Sequence, residues 1–291
     1  MIDINRQKSH QQTISNSIEI SGIGLHSGLE ITLTIEKAPI DNGIKFIRND
    51  INSKNVISAL WSNVSSTNLC TTISNDYNLS VSTIEHLMSA LSGLHIDNAN
   101  VYINGSEVPI MDGSSKPFVN LIEENGIEVQ NKKRKILKIK KEVFVSNSNG
   151  SAQLIPNKQF SIDFEIDFPS SVISKQSCQL QLINGNYKTD IASARTFGFE
   201  KDVNDLRSNG LALGGSLENA VVVGNDKILN KEGLRYKDEF VRHKILDSIG
   251  DLYLAGCPIE GYFYGKKSGH KLNFELLKKL FSNKSNFEYI F

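Results

Sequence analysis

The chain has 291 residues, which exceeds the usual size of a single core, and we expect two domains. Its 32 Lys and Arg residues balance its 32 Asp and Glu residues, so no overall field attracts nucleic acid or an anionic membrane surface. No apolar run approaches the roughly 18 residues needed to span a bilayer, residues 1–20 contain no apolar signal segment, and three widely spaced cysteines indicate neither a disulfide framework nor a thiolate zinc site.

Strands predominate among the predicted elements, and helices are placed between them. Strict alternation of apolar and polar residues predicts half-buried strands at residues 31–35 and 160–168. This interspersed pattern indicates an α+β fold. Helical spacing of apolar residues predicts helices over residues 83–91, 115–124, 240–255 and 273–281.

A basic stretch at residues 132–135 separates two similar halves of the sequence. It follows a predicted helix and precedes a strand-like run at 136–145, so we expect an N-terminal domain over 1–131 and a C-terminal domain over 132–291. In each half a His precedes a Gly by seven residues, as His86 precedes Gly93 and His243 precedes Gly250. The match predicts a duplicated α+β unit whose two helices each present a His to a shared interface.

The predicted helix over 240–255 has a stripe of potential metal ligands. His243, Asp247 and Asp251 recur at four-residue steps, on one side of the helix. An imidazole and a carboxylate one turn apart can bind a single zinc ion. The alternative is a polar helix face with a His–Asp hydrogen bond.

Two interpretations are open for the segment that precedes and includes His86. Ser82 and Glu85 have the spacing of a capping box, in which Glu85 closes on the start of the helix. In the other interpretation, His86 completes a triad of two His and one Asp around zinc, and Glu85 takes a proton from water at the fourth position. This is not the H-E-x-x-H signature, so the spacing does not name the enzyme.

A third His and a hydroxyl group complete the candidate site. His270 is predicted on a loop, where it is either a surface residue or an imidazolium that is held by Asp251 and donates to an oxyanion and a departing amine. Thr196 offers a hydroxyl beside two aromatic residues within segment 194–199, which could also be a strand end with core phenylalanines.

Seven segments, in the right order, strongly resemble the UDP-3-O-acyl-N-acetylglucosamine deacetylases, zinc-dependent enzymes that catalyse the committed step of lipid A synthesis in bacteria with an outer membrane. The resemblance implies two similar layered sheet-and-helix domains, packed helices to helices in a sandwich around the zinc. The segments are residues 22–28, 82–87, 110–114, 194–199, 213–216, 240–251 and 267–270.

The resemblance also implies a role for individual residues. It implies a zinc site, which ferrous iron could also occupy, a base, a charged His with its orienting acid, and a hydroxyl that polarises the substrate carbonyl. These positions are His86, His243 and Asp247 for the metal, Glu85 for the base, His270 and Asp251 for the charged pair, and Thr196 for the hydroxyl. Residues implied at the substrate are Leu69, Cys70, Phe168, Phe197, Gly215 and Lys244.

Two further segments bear on the substrate. The insert at residues 198–221 resembles the family's apolar passage for the 3-O-acyl chain, although its leucines could instead form a small satellite core. Gly150 stands where the family often has a Lys that meets the nucleotide, so either nucleotide affinity is weaker or another cation substitutes.

Three hypotheses follow for the function. The first is deacetylation of UDP-3-O-acyl-N-acetylglucosamine, and the second is zinc-dependent deacetylation of a different sugar amide, motivated by Gly150. The third is a non-catalytic sugar-nucleotide-binding module, and the retention of Glu85 and His270 beside the ligands argues against it. We expect a cytoplasmic monomer with one catalytic Zn²⁺ ion, without a nucleic-acid partner or a transmembrane segment.

Overall fold

A computed structural model of the protein describes residues 9–182 and 185–291, and it has an α+β fold of several sheets with helices between them. None of the helices in these residues has the length and apolar character required to cross a membrane. The first half contains β1 (His10–Ile14), β2 (Ile18–Ile23), β3 (Glu30–Lys37), β4 (Ile44–Arg48), β5 (Val56–Ser58), β6 (Val64–Ser66), β7 (Thr72–Ser74), β8 (Ser80–Val81), α1 (Glu85–Gly93), β9 (Ala99–Ile103), α2 (Lys116–Asn125) and β10 (Ile127–Lys133).

The second half continues with a similar alternation of strands and helices. Short 3₁₀ turns occur at Trp61–Asn63, Glu200–Asp202 and Lys284–Asn286. The elements are β11 (Ile136–Ile139), β12 (Val143–Ser146), β13 (Ser151–Ile155), β14 (Ser161–Asp167), β15 (Lys175–Gln181), α3 (Tyr187–Asp190), β16 (Phe197–Phe199), α4 (Val203–Ser208), β17 (Val221–Val223), α5 (Glu239–Tyr253), β18 (Ile259–Glu260), β19 (Tyr262–Lys266), α6 (His270–Phe281) and β20 (Phe287–Ile290).

Two five-stranded sheets have the same topology, with orders β2-β3-β9-β4-β5 and β12-β13-β19-β14-β15. In both sheets the successive neighbours pair antiparallel, antiparallel, parallel and antiparallel. The helix before the central strand is α1 in the first unit and α5 in the second, and these two helices pack against each other. The predicted duplication and the helix-to-helix sandwich are therefore confirmed.

The alternating sequences explain why the sheets bury one face. In β3, Ile31, Leu33 and Ile35 are buried between partly exposed threonines. In β14, Ile162, Phe164 and Ile166 are buried, and the intervening polar residues face the other side. Each such side chain stabilises the fold by about 1.5–3 kcal/mol when it leaves water.

Some predicted elements differ in detail. The strand-like run at 136–145 is two strands, β11 and β12, which join different sheets because the chain turns at its exposed residues Lys140–Glu142. The loop prediction for His270 is wrong, because this residue begins α6 directly after Gly269, whose extended backbone occupies the N-cap position.

The domain boundary between residues 131 and 132 stays a prediction. Strand β10 extends across it to Lys133 and pairs with β1. Arg134 is buried, and its Nη2 donates to Asp97 Oδ2 at 2.8 Å. These contacts attach the start of the second half firmly to the first.

Candidate metal and catalytic site

The close approach of α1 and α5 depends on Gly250. A Cβ atom at this position would lie 2.1 Å from the carbonyl oxygen of Glu85, a distance that real Cβ atoms essentially never show. Glycine therefore allows the backbone of α5 to contact the first residue of α1 directly. This contact brings the two helices together beside His86 and His243.

Three potential metal ligands meet at this helix interface. His86 of α1 and His243 and Asp247 of α5 are buried, and their ligand atoms all lie within 4.8 Å of one another. Asp247 Oδ1 is 3.3 Å from His243 Nε2 and 3.5 Å from His86 Nε2. The structure therefore brings together the three residues that the sequence singled out as metal ligands.

The protonation of His243 and Asp247 suits the binding of a cation. His243 Nδ1 lies 3.1 Å from the carbonyl oxygen of Ala194, which can only accept, so Nδ1 carries the hydrogen and Nε2 presents its lone pair. Burial lowers the pKa of His243 to about 3, which keeps the ring neutral. Burial alone would raise the pKa of Asp247, but neighbouring positive charge, including Lys244, holds it well below its usual range.

Three buried side-chain atoms lack a hydrogen-bond partner among the described residues, and one of them belongs to a potential metal ligand's carboxylate. Asp247 Oδ1 has no hydrogen-bond partner within residues 9–182 and 185–291. Leaving a buried carboxylate oxygen unpaired is costly. Two imidazoles and this carboxylate form a donor set that fits zinc.

Glu85 lies beside the three potential metal ligands and is not one of them. Its Oε2 accepts from the backbone N–H of Thr71 at 3.0 Å, and its Oε1 is 3.9 Å from His270 Nε2. The capping box does not form, because Ser82 Oγ donates to the carbonyl of Ser106 instead. Burial raises the pKa of Glu85 and outweighs the opposing charges of His270 and His86.

His270 is paired with Asp251, which was one of the two interpretations open from the sequence. Its Nδ1 lies 2.9 Å from Asp251 Oδ2, and its Nε2 is 4.0 Å from Asp247 Oδ2. Burial alone would lower the pKa of His270, but the carboxylates of Asp251 and Glu85 raise it to about 9. A divalent cation on the nearby ligands would add positive charge and lower this pKa.

A buried ion pair fixes Thr196 and His243 relative to each other. Glu239, the first residue of α5, is fully buried, and its Oε1 accepts from the backbone N–H and the Nε of Arg195 at 3.0 and 2.8 Å. The flanking residues Ala194 and Thr196 are thereby held near the start of α5. This explains how the carbonyl of Ala194 reaches the ring of His243.

A cleft of about 360 Å³ opens over this cluster. Phe168 and Phe197 form an aromatic wall, with ring centroids 5.6 Å apart. The ammonium group of Lys244 lies 6.0 Å from the Phe197 ring centroid and also pairs with Asp247. An aromatic wall beside a cation suits a polar ligand that contains rings. The predicted residues in the lining are Leu69, Glu85, His86, Phe168, Thr196, Phe197, His243, Lys244, Asp247 and His270.

Two predicted substrate residues do not line the cleft. Cys70 is buried, and burial raises the pKa of its thiol to about 11. Gly215 lies next to the lining residue Leu25, since a Cβ atom at Gly215 would be 3.7 Å from Leu25 Cδ1. Their roles stay predictions.

The insert at 198–221 borders the cleft through contacts with the loop that contains His26. The backbone N–H of Ala212 donates to His26 Nδ1 at 3.4 Å, and that of Leu213 donates to the carbonyl of His26 at 3.2 Å. Leu213 and Leu217 are 49% and 47% exposed, so these two leucines do not form the alternative satellite core.

Sequence reasoning missed several residues at the site. Leu25, His26 and Phe199 line the cleft, and Thr71 bonds to groups directly behind it. The first three fall within segments 22–28 and 194–199, which had been noted without assigning these side chains. Thr71 follows Cys70 in a segment without periodicity, and no sequence pattern marks it.

The turn at Gly150 cannot accept the Lys of the resembled family. A Cβ atom there would lie 2.5 Å from the carbonyl oxygens of Lys266 and Lys267. The neighbouring cation Lys267 pairs with Asp167 at 2.6 Å. The departure at this position is therefore built into the local backbone.

Comparison with known proteins gives a consistent result. Residues 11–282 match the family model described as UDP-3-O-acyl N-acetylglycosamine deacetylase. Proteins named UDP-3-O-acyl-N-acetylglucosamine deacetylase are 45% identical over 282 residues in Shewanella pealeana and Shewanella halifaxensis. The protein of that name in Shewanella violacea is 46% identical, and each match covers 96% of this chain and 92% of the relative.

Proposed function

The chain belongs to the UDP-3-O-acyl-N-acetylglucosamine deacetylase family, and we propose that it catalyses this hydrolysis with a zinc ion held by His86, His243 and Asp247. The reaction of the family removes the N-acetyl group of UDP-3-O-acyl-N-acetylglucosamine, releases acetate and belongs to lipid A biosynthesis. The observation that carries the proposal is the convergence of three buried ligands beside Glu85 and His270.

The donor set supports zinc as the ion. Two imidazoles and one carboxylate leave a position open, as catalytic zinc sites do, and ferrous iron accepts the same ligands. When bound, zinc acts as a Lewis acid that lowers the pKa of water towards about 7 and polarises a carbonyl group. The side chains around it then move protons and orient the amide.

Glu85 is the general base in this mechanism. Because the N–H of Thr71 holds Oε2, the other oxygen of Glu85 is available to take a proton from water. Burial raises its pKa, which makes the carboxylate a better proton acceptor near neutral pH.

His270 is the general acid and supports the oxyanion. Its Nδ1 is held by Asp251, so Nε2 is the atom that donates to the tetrahedral oxyanion and then to the departing amine. The Thr196 hydroxyl contributes a further donor to the carbonyl oxygen. Each such donor in a dry site lowers the barrier by about 3–4 kcal/mol.

The remaining cleft residues bind the substrate. Phe197 packs against the sugar, Phe168 against the uracil, and Lys244 meets the polar end of the substrate. The acyl chain lies along the insert at 198–221, whose exposed leucines Leu213 and Leu217 provide apolar surface.

The decisive experiment measures acetate release from UDP-3-O-acyl-N-acetylglucosamine and metal content in parallel. Glu85→Ala should lower kcat by about 10²- to 10⁴-fold while bound zinc stays at one equivalent, because Glu85 is a base and not a ligand. Glu36→Ala, an exposed carboxylate on β3, is the matched control and should keep full activity. Turnover that survives complete metal chelation, or an unchanged kcat in Glu85→Ala, would refute the mechanism.

Gly150 motivates the second candidate, a zinc deacetylase for a different sugar amide. Since the turn excludes a Lys side chain, binding of the nucleotide loses one family contact. Comparing kcat/KM for substrates with and without the UDP group separates the two candidates. Equal values would favour the second one.

A further inference from the structure

Thr71 contacts both the base and the acid–carboxylate pair of the site. Its backbone N–H donates to Glu85 Oε2 at 3.0 Å. Its hydroxyl lies 2.6 Å from Asp251 Oδ1 and 3.2 Å from His270 Nδ1. Thr71 is 2% exposed and does not line the cleft, so it contacts these groups from behind.

The directions of these hydrogen bonds follow from the chemistry of the groups. A threonine hydroxyl has one hydrogen, and an ionised carboxylate can only accept, so the short contact is a donation from Thr71 Oγ1 to Asp251 Oδ1. The hydroxyl oxygen then presents a lone pair towards His270 Nδ1. The Nδ1–H of His270 is therefore shared between Asp251 Oδ2 at 2.9 Å and Thr71 Oγ1.

Asp251 has a second support on its other oxygen. Asn273 Nδ2 donates to Asp251 Oδ2 at 2.9 Å, and Ser268 Oγ donates to Asn273 Oδ1 at 2.9 Å. Thr71 is the donor to Oδ1, on the side of the carboxylate that faces the first half of the chain. The orientation of His270 thus depends on one residue from each half, Thr71 and Asn273.

We propose that Thr71 is a positioning residue that fixes Glu85 and His270 relative to each other. Its backbone N–H contacts Glu85 and its hydroxyl contacts His270, both on the side away from the cleft. This inference rests on the proposed function. The segment before β7 sets the 3.9 Å separation between Glu85 Oε1 and His270 Nε2. A base and an acid so close to each other can serve the same tetrahedral centre in successive proton transfers.

Thr71→Val tests the hydroxyl alone, because valine keeps the shape of the side chain and the backbone N–H to Glu85. Removing a hydrogen bond to a buried charged group should lower kcat by about 10- to 100-fold. KM should stay within about twofold, because Thr71 is outside the cleft. Thr71→Ser retains the hydroxyl and should restore most of the rate.

A double-mutant cycle with Asp251→Ala distinguishes positioning from a general effect on folding. If Thr71 acts through Asp251, Thr71→Val should lower kcat by less than about twofold in the Asp251→Ala background. Thr72→Val, which removes the hydroxyl of the next residue, is the matched control and should leave kcat within about twofold in both backgrounds. Zinc content and melting temperature are measured for every variant.

The outcomes separate this inference from the proposed function. The role of Thr71 would be overturned if the wild type is active and kcat is unchanged in Thr71→Val. It would also be overturned if the losses in kcat from Thr71→Val and Asp251→Ala multiply in full in the double variant. A loss in Thr71→Val that Thr71→Ser does not rescue would overturn it as well. An inactive, zinc-loaded wild type would instead refute the proposed function.

Discussion

Gly250→Ala should separate the two helices that carry the proposed metal ligands, without replacing any of these ligands. The new Cβ atom would lie 2.1 Å from the carbonyl oxygen of Glu85, whereas ordinary contacts begin at 3.4 Å, so α1 and α5 must move apart by about 1.3 Å. Metal–ligand distances tolerate only about 0.2 Å. Because His86 follows Glu85 directly, the displacement moves it away from His243 and Asp247.

The expected stability change is smaller than the change in metal binding. Overpacking costs about 1–3 kcal/mol, and the better helix propensity of alanine offsets about 1 kcal/mol. Zinc affinity should fall by at least about 100-fold, since replacing a residue that only orients a metal ligand already lowers affinity by about 10- to 100-fold. Competition with a chromogenic chelator measures the affinity, and urea unfolding of the metal-free protein measures the stability.

Gly93→Ala is the matched control at the equivalent position of the first repeated unit. Its Cβ atom would lie 2.2 Å from the ring of Tyr187, which makes it an overpacking change at the far end of α1. We expect a comparable loss of stability with zinc affinity within about threefold. Wild-type zinc affinity and turnover in Gly250→Ala would refute the reasoning, and so would equal loss of zinc in both variants.

Three further predictions test other parts of the site. Glu239→Gln leaves Arg195 without its buried partner charge. It should lower the free energy of unfolding, measured by urea denaturation, by about 3–5 kcal/mol, and a loss below about 1 kcal/mol would contradict this. Gly150→Lys should lower the free energy of unfolding by about 1–3 kcal/mol, because its Cβ atom would clash with two carbonyl oxygens. It should not improve UDP binding in calorimetry, and tighter UDP binding would contradict the proposed clash. Phe168→Ala should raise KM for the UDP-sugar by about tenfold with little change in kcat, because it removes a contact that is present in the ground state and the transition state alike. A fall in kcat with unchanged KM would contradict this role.

The sequence predicted the repeat because its signals are local. A His seven residues before a Gly occurs in both halves, and Gly250 shows why such a glycine is needed at a tight helix contact. The alternation in β3 and β14 likewise reports burial directly. These signals depend on neighbours within one element.

From the sequence, the approach of His86 to Asp247 could be proposed only as one of two open interpretations. Helical spacing places His243 and Asp247 one turn apart, but it does not specify what packs on that face. The repeat predicted that a second helix with its own His shares the interface, and the resemblance implied that His86 is a metal ligand there. The structure then brought Asp247 Oδ1 within 3.5 Å of His86 Nε2.

What the sequence could not predict lies in irregular segments. Glu85 has the spacing of a capping box, yet its carboxylate turns towards Thr71, which is distant from it in sequence and lies before a short strand. His270 was expected on a loop, but it begins a helix for which Gly269 provides the N-cap. Such choices are decided by tertiary contacts, which have no periodicity in the sequence.

The central claim is that three side chains from two helices bind one catalytic ion. Crystals grown from protein purified without added metal should show a single anomalous peak at the zinc or iron edge. We expect that peak at about 2.0–2.2 Å from an imidazole nitrogen of His86, Nε2 of His243 and a carboxylate oxygen of Asp247. A fully active preparation with no peak there, or with its metal bound elsewhere, would contradict it.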